Sequence, residues 1–271
     1  METAIVYMVA GLSSRFGGKI KQFARVGPKG ETLIEYSLNQ ALKSGFTKIV
    51  FIVGNKTEQP FKEMFGNEYK GIPVFYALQN FDPAQRDKPW GTCDALCSAT
   101  HLIKEPFVVF SGDDICGDTT FQILVNHLKT RDEEATIGKK LIELLPKQGN
   151  VNRGIFYVDN ENNVTNMAET KEINQNNLEE KGLKKNDFAS ISIFALHPET
   201  LVLLNKRLEN FKDKNKEDRG KECYLNLELS ELIKSNQIKM KLYETPNNWF
   251  GVTNPEDEIK IREILKNKIN E

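Results

Sequence analysis

Apolar residues in the first half of the chain fall in short runs separated by stretches with helical spacing. The runs "AIVYMVA" (4–10), "KIVFIVG" (48–54), "PVFYALQ" (73–79) and "PFVVFSGDD" (106–114) read as strands covered on both faces. Between the first two, "TLIEYSLNQALKSG" (32–45) places Leu33, Ile34, Leu38, Ala41 and Leu42 on one helical face. Thr32 and Glu35 form a capping box at its start, and Gly45 supplies a stop. Further helices are expected over 59–66, around 92–103 and over 118–130, the last with Asp118 as its cap. Alternating strands and helices of this length predict a parallel sheet with helices on both faces. In such sheets ligands bind beyond the carboxyl ends of the strands. Three polar or glycine-bearing segments fall there: Gly11–Gln22, Gln79–Thr92 and Ser111–Asp114.

The second half is less regular. "TIGKKLIEL" (136–144), "RGIFYVDNENNVTNMAE" (153–169, with a turn at 159–163), "FASISIFAL" (188–196) and "KMKLYET" (239–245) predict strands. "LNLELSELIKS" (225–235) predicts a helix, and so does "NPEDEIKIREILKNKI" (254–269), with Asn254 as N-cap and Pro255 at the first helical position. The charged or Asn-rich stretches 170–187 and 206–222 read as solvated loops or helix faces. With no internal repeat or low-complexity linker, one compact unit is expected.

Composition narrows the function classes. A net charge of −1, with both signs mixed along 271 residues, gives no support to nucleic-acid or membrane partners. "AIVYMVA" is too short for a signal peptide or a membrane span, so a cytoplasmic protein is expected. Cys93, Cys97, Cys116 and Cys223 form no Cys-x-x-Cys pair and read as buried free thiols. His101, His127 and His197 are scattered singly and read as structural.

The candidate chemistry lies in the three loops. "MVAGLSSRFGGKIKQF" (8–23) fits neither a Walker A loop nor a dinucleotide fingerprint. Its glycines nonetheless let backbone amides converge on phosphate oxygens, with Arg15 and Lys21 adding charge. A carboxylate of "SGDD", Asp113 or Asp114, is well placed to hold Mg²⁺, which uses few protein ligands plus substrate phosphates. Gln79 offers an amide that can donate and accept at once, as pairing with a pyrimidine edge requires, and Gly91 lets backbone approach a flat ring.

Together these segments resemble the sugar-1-phosphate nucleotidyltransferases, the nucleotide-sugar pyrophosphorylases. The likeness runs in family order through "MVAGLSSRFGGKIKQF", "LQ", "KPWGTCDAL" (88–96), "SGDD", "RGIFYVDNENNVTNMAETK" (153–171) and "NWFGVTNPEDEI" (248–259). It is closest to a bacterial subgroup with GGLKQ, KPWGTAHA and WFGVT motifs. The resemblance implies a Rossmann-like, mixed but mainly parallel sheet with helices on both faces, the nucleotide-diphospho-sugar transferase (GT-A-like) fold. It also implies a single domain over 1–271, with 1–135 mainly for the NTP, 136–250 mainly for the acceptor and 251–271 as a closing helix. By position, Arg15, Lys21 and Asp113 would be catalytic. Ala10, Gly11, Leu12, Gln79, Gly91 and Thr92 would bind the nucleotide, and Gly154, Glu169, Lys171 and Ser192 the acceptor. Mg²⁺ would sit on Asp113 and Thr253. The implied reaction transfers NMP from an NTP (UTP or dTTP first, then CTP) to a phosphorylated sugar, with small molecules as partners and a homo-oligomer compatible.

The chain departs from the family pattern at four places: Ser13 replaces a glycine, Lys19 rivals Lys21, Thr253 stands where relatives carry Asp or Asn, and Ser192 where they carry Asn. Two other readings are a glycosyltransferase of the related A-type fold and a catalytically weak regulatory paralogue. A glycosyltransferase has no pyrophosphate to expel, which leaves the Arg15/Lys21 loop without a task.

Overall fold

The computed structural model describes residues 1–11, 16–146, 148–252 and 255–267. Its first half contains β1 (Ala4–Met8), α1 (Leu33–Leu42), β2 (Lys48–Val53), α2 (Glu58–Phe65), β3 (Glu68–Tyr69), β4 (Ile72–Leu78), α3 (Thr92–Ser98), β5 (Phe107–Ser111), β6 (Asp114–Ile115) and α4 (Asp118–Thr130). The second half contains β7 (Glu134–Lys140), β8 (Val151–Val158), β9 (Val164–Ile173), β10 (Phe188–Leu196), α5 (Pro198–Lys214), α6 (Leu225–Lys234), β11 (Met240–Tyr243), β12 (Phe250–Gly251) and α7 (Pro255–Asn267).

Strands β4, β2, β1 and β5 lie side by side and parallel, as the βα alternation predicts. The sheet continues through β10, which runs antiparallel to both β5 and β7, and ends on β11, parallel to β7. The long hairpin β8–β9 joins it through β10. This is the mixed α/β sheet implied by the resemblance.

Side chains alternate across β1. Ile5 and Tyr7 enter one core layer with Phe51 and Phe110, under α1, α2 and α4. Ala4 and Val6 enter the other with Val50, Ile52 and Val109, under α3, α5 and α6. Burial on both faces explains why these strands read as continuous apolar runs rather than alternating ones. A third, smaller cluster packs Ile261 and Leu265 of α7 against Val26, Leu33 and Val252. Among the described residues no helix is long and apolar enough to cross a membrane.

The α1 capping box is present: Glu35 N–H donates to Thr32 Oγ1 at 3.3 Å, and Thr32 N–H to the Glu35 carboxylate at 2.9 Å. Asp118, by contrast, is not the N-cap of α4. Gly117 holds that position with φ +81°, and the N–H of Thr120 is satisfied from afar by Asn247 Oδ1 at 3.1 Å. A remote carboxylate does the same for α5. Buried Glu134 accepts from the backbone N–H of His197 (2.9 Å), from its Nδ1 (3.1 Å) and from the Thr200 hydroxyl. Sequence proximity cannot reveal either cap, because both cross the fold. All four cysteines are buried and free, as expected.

Removing the Thr32 hydroxyl by Thr32→Ala costs about 1 kcal/mol of stability in urea denaturation. The bond to Glu134 raises the pKa of His197 above the usual histidine range. Protonated His197 therefore favours the folded state. Its contribution is complete below the unfolded histidine range and is lost as pH rises through the folded value. His197→Gln thus destabilises more at about pH 5.5 than at about pH 8.5, and equal losses at both would exclude this account.

Candidate active site

The strand register sets the position of the site. Met8 pairs with Ile52 on one side and Ser111 on the other, and the three chains leave the sheet together. A cavity of about 370 Å³ opens there, lined by Ala10, Gly11, Lys21, Gln79, Gly91 and Asp113 among others. Thr92 lines it too. Three segments separated by dozens of residues thus meet as the sequence reading expected. Leu12, Arg15 and Thr253 lie outside the described residues.

Asp113 is held from two sides. Ser111 Oγ donates to Oδ1, and the Lys21 ammonium pairs with Oδ2. Lys19 lines a different cavity with Phe16, Phe23 and Pro60, whereas Lys21 lines the cavity that contains Asp113. Behind Asp113, its backbone carbonyl accepts from Val252 N–H at 3.0 Å, and β12 pairs with β6 through Gly251 and Asp114. The segment 250–252 is therefore fixed against the acidic pair. Asp114 itself is partly buried beside Gly251 and Trp249, and desolvation with the neighbouring Asp113 charge pushes its carboxyl well above the usual range. Among the described residues no group of three or more His, Cys, Asp or Glu is placed to hold a metal.

The roles of Gln79 and Gly91 differ from expectation. Gln79 Nε2 donates to Gly91 O and to Asp94 Oδ2, both at 2.9 Å, so its two N–H groups are already spent inside the protein. Only the side-chain oxygen remains for a ligand. Gly91 has φ +98°, and a Cβ there would lie 2.6 Å from Cys223 O. The glycine is required by the chain packed against it, as well as by its own backbone. That packed chain is the end of the 206–222 stretch, which is not simply solvated. Arg86 donates to the carbonyls of Asp218 and Lys221 and lies with its guanidinium carbon 3.3 Å from the Trp90 ring centre. Cys223 N–H donates to Trp90 O at 2.6 Å, and Cys93 N–H to Cys223 O at 3.0 Å.

A second cavity, about 400 Å³, shares Met8 and Thr92 with the first. It brings together Gly154, Glu169, Lys171 and Ser192, as the resemblance implied. Adjacent strands β8 and β9 place Gly154 opposite Glu169. The Asn226 amide donates to Glu169 at 3.3 Å, and burial raises the Glu169 carboxyl against the opposing pull of Asn226, Arg153 and Lys171. Ser192 sits in the β10 bulge with φ +56°, a conformation that Asn adopts more readily than Ser. Sequence reasoning missed Arg153, Tyr224 and Asn226 on these walls. A charged residue inside the strand pattern "RGIF" was the available signal for the first. A larger cavity, about 740 Å³, opens at the opposite ends of the strands around Glu134 and His197, away from the three loop segments singled out by sequence.

The family described as nucleotidyl transferase matches residues 18–266, and the chain belongs to that family of enzymes. Over 167 residues it is 26% identical to the low-salt glycan biosynthesis nucleotidyltransferase Agl11 of Haloferax volcanii, covering 58% of this chain and 43% of that protein. The chain thus matches less than half the length of that curated relative. Among solved structures, it is similar to a UDP-glucose pyrophosphorylase complexed with UDP-glucose (TM-score 0.69, 16% identity, 99% of this chain and 100% of that one). It is also similar to the inositol-1-phosphate CTP transferase from T. maritima (TM-score 0.68, 17% identity, 100% and 97%). At these identities the two structures speak for the fold.

Gly91→Ala destabilises by about 2 kcal/mol or more, from its φ and from the clash with Cys223. Gly11→Ala, whose added Cβ meets nothing within 4 Å, leaves the urea midpoint nearly unchanged. Equal effects of the two substitutions would remove the packing argument.

Proposed function

We propose that the protein transfers NMP from an NTP to a sugar 1-phosphate or similar phosphorylated small molecule, giving an NDP-sugar and pyrophosphate. The observation that carries this reading is the Lys21–Asp113 pair at the wall of a cavity that adjoins a second polar cavity containing Glu169 and Lys171. The family match supports it. Residues 1–135 would mainly serve the NTP, 136–250 the acceptor and 251–271 the closing helix.

The reaction needs little covalent help from protein side chains. A phosphate monoester has a second pKa of about 6, so the acceptor oxygen is mostly ionised near neutrality. That oxygen attacks the α-phosphorus, a new P–O bond forms, and the bond to the β-phosphate breaks. Pyrophosphate carries away the electron pair, and no general base is required. What the protein must supply is alignment of two anions and neutralisation of the leaving group. Lys21 and Arg15 serve the leaving pyrophosphate, and the amides around Ala10–Leu12 cradle the triphosphate. Lys171 holds the acceptor phosphate, Glu169 accepts from sugar hydroxyls, and the Gly154 backbone and Ser192 face the sugar.

The donors around Asp113 fit Mg²⁺. Asp113 offers a single carboxylate at the cavity wall, which suits a cation that keeps its waters and relies on substrate phosphates, once the Lys21 ammonium now paired with it turns to the pyrophosphate. Asp113 would hold it, with Thr253 as the second expected ligand. Bound Mg²⁺ would supply neutralising charge to the phosphates. The favoured nucleotides are UTP and dTTP, because the free oxygen of Gln79 can accept from the N3–H that uracil and thymine present.

Pyrophosphate release with Mg²⁺ tests this reading, with UTP, dTTP, CTP, ATP and GTP each offered against a panel of sugar 1-phosphates and other phosphorylated small molecules. Release that depends on one NTP and one acceptor is expected. Release of a nucleoside diphosphate from a sugar nucleotide would instead establish a glycosyltransferase. With the productive pair, Asp113→Ala and Arg15→Ala each lower kcat by about 10²-fold or more without lowering the melting temperature. A folded variant with full activity would remove that residue from the catalytic set.

A further inference from the structure

We propose that Asp94 is a specificity-determining positioning residue: it turns Gln79 into a pure acceptor toward the base, so that the site selects pyrimidines carrying N3–H, uracil and thymine, over cytosine. The inference rests on the reading above that this cavity holds an NTP with its base at Gln79, and deepens it.

Gln79 stands at the end of β4, anchored by its own N–H to Val53 O at 2.8 Å, and is 7% exposed. An amide so placed could face a ligand with either end. Here the choice is forced, because both neighbours of Nε2 are acceptors with no proton to give. They are the Gly91 carbonyl and the Asp94 carboxylate, each at 2.9 Å. A flipped amide would set its oxygen against a carbonyl and a charged carboxylate together, losing two hydrogen bonds and adding repulsion. Among the described residues Oε1 accepts no hydrogen bond, and Gln79 lines the cavity.

Asp94 is itself fixed from its far side. It is 8% exposed in the first turn of α3, and its Oδ1 takes the Lys212 ammonium of α5 at 2.5 Å. Lys212 also lies 5.9 Å from the centre of the Trp90 ring, in the loop that carries Gly91. The chain Lys212–Asp94–Gln79 therefore runs from a half-exposed helix to the cavity wall. It gives a purpose to a carboxylate inside the otherwise apolar start of α3, "TCDALC".

The chemical consequence follows from the pairing edges. Uracil and thymine present N3–H between two carbonyls, so an acceptor at Gln79 meets their ring donor. Cytosine presents a lone pair at N3, which the same oxygen repels, and it can donate only from its exocyclic amine one position away. The lock does not separate uracil from thymine, whose 5-methyl group lies off this edge.

Titration calorimetry with UTP, dTTP and CTP tests the proposal without any acceptor. The wild-type protein binds UTP and dTTP at least about tenfold tighter than CTP. An asparagine can offer either its oxygen or its amide to Gln79, so Asp94→Asn lets Gln79 turn and lowers the UTP-to-CTP ratio by about tenfold. Asp94→Ala, which removes this acceptor from Gln79 altogether, moves the ratio the same way and decides the matter should Asp94→Asn fail to fold. Gln79→Ala abolishes the preference, and Asp94→Asn added to it changes nothing further. A wild-type ratio in folded Asp94→Asn, or in Asp94→Ala if that variant must decide, overturns the role of Asp94 alone. So does an Asp94→Asn effect that persists without Gln79. Tight NTP binding by the wild-type protein without preference for UTP or dTTP overturns the base selection while leaving nucleotidyl transfer standing. No binding of any NTP overturns both.

Discussion

Everything in the cavity at the strand ends depends on β1 being bonded in register to a parallel neighbour on each side. Because Met8 lies level with Ile52 and Ser111, the glycine loop, the start of α2 and the acidic pair leave the sheet at one height. A one-residue slip of either neighbour would turn its side chains to the opposite core layer. Phe51 and Phe110 would leave the layer they share with Tyr7, and the large fully buried rings at this level make such a slip costly. Core packing and site geometry are therefore one constraint, and the aromatic layer holds Asp113 in place as surely as its hydrogen bonds do.

Around the cavities, a chain of nearly neutral net charge keeps lysines paired with carboxylates. Three lysines near the first cavity stand against carboxylates: Lys21 with Asp113, Lys88 with Glu222, Lys212 with Asp94. Pairing orders long side chains before any ligand arrives, which lowers the conformational entropy lost on binding. It also spares the empty site from concentrated like charge.

The first half of the fold was legible because its signals are local. Apolar runs, the Thr32–Glu35 capping box and the breaks between elements all act within a few residues, and the parallel order of β4, β2, β1 and β5 follows from their alternation with helices. What stayed hidden is made by contacts across the chain. Asn247 caps α4 from 127 residues away, and Glu134 caps α5 from 63. The three loop segments come together because they sit at strand ends, where fold topology alone dictates meeting, whereas Gly154, Glu169, Lys171 and Ser192 share a cavity from within β8, β9 and β10. Their roles were less legible. A glutamine in sequence carries both donor and acceptor, and only the positions of Asp94 and Gly91 remove one of them. Gly91 likewise looked like an approach for a ring, whereas the nearest obstacle to a side chain is the carbonyl of Cys223.

That contact with Cys223 belongs to a short stretch with two faces. Glu222 lines the first cavity, Tyr224 to Asn226 line the second, and Leu225 N–H is held by Thr92 Oγ1 at 2.9 Å. Five consecutive residues are thus a party wall between two rooms. Whatever factor an occupant of one room imposes on affinity in the other through this wall, the second imposes equally on the first, since linkage is reciprocal. Whichever substrate enters first, the second meets a wall its predecessor has already set.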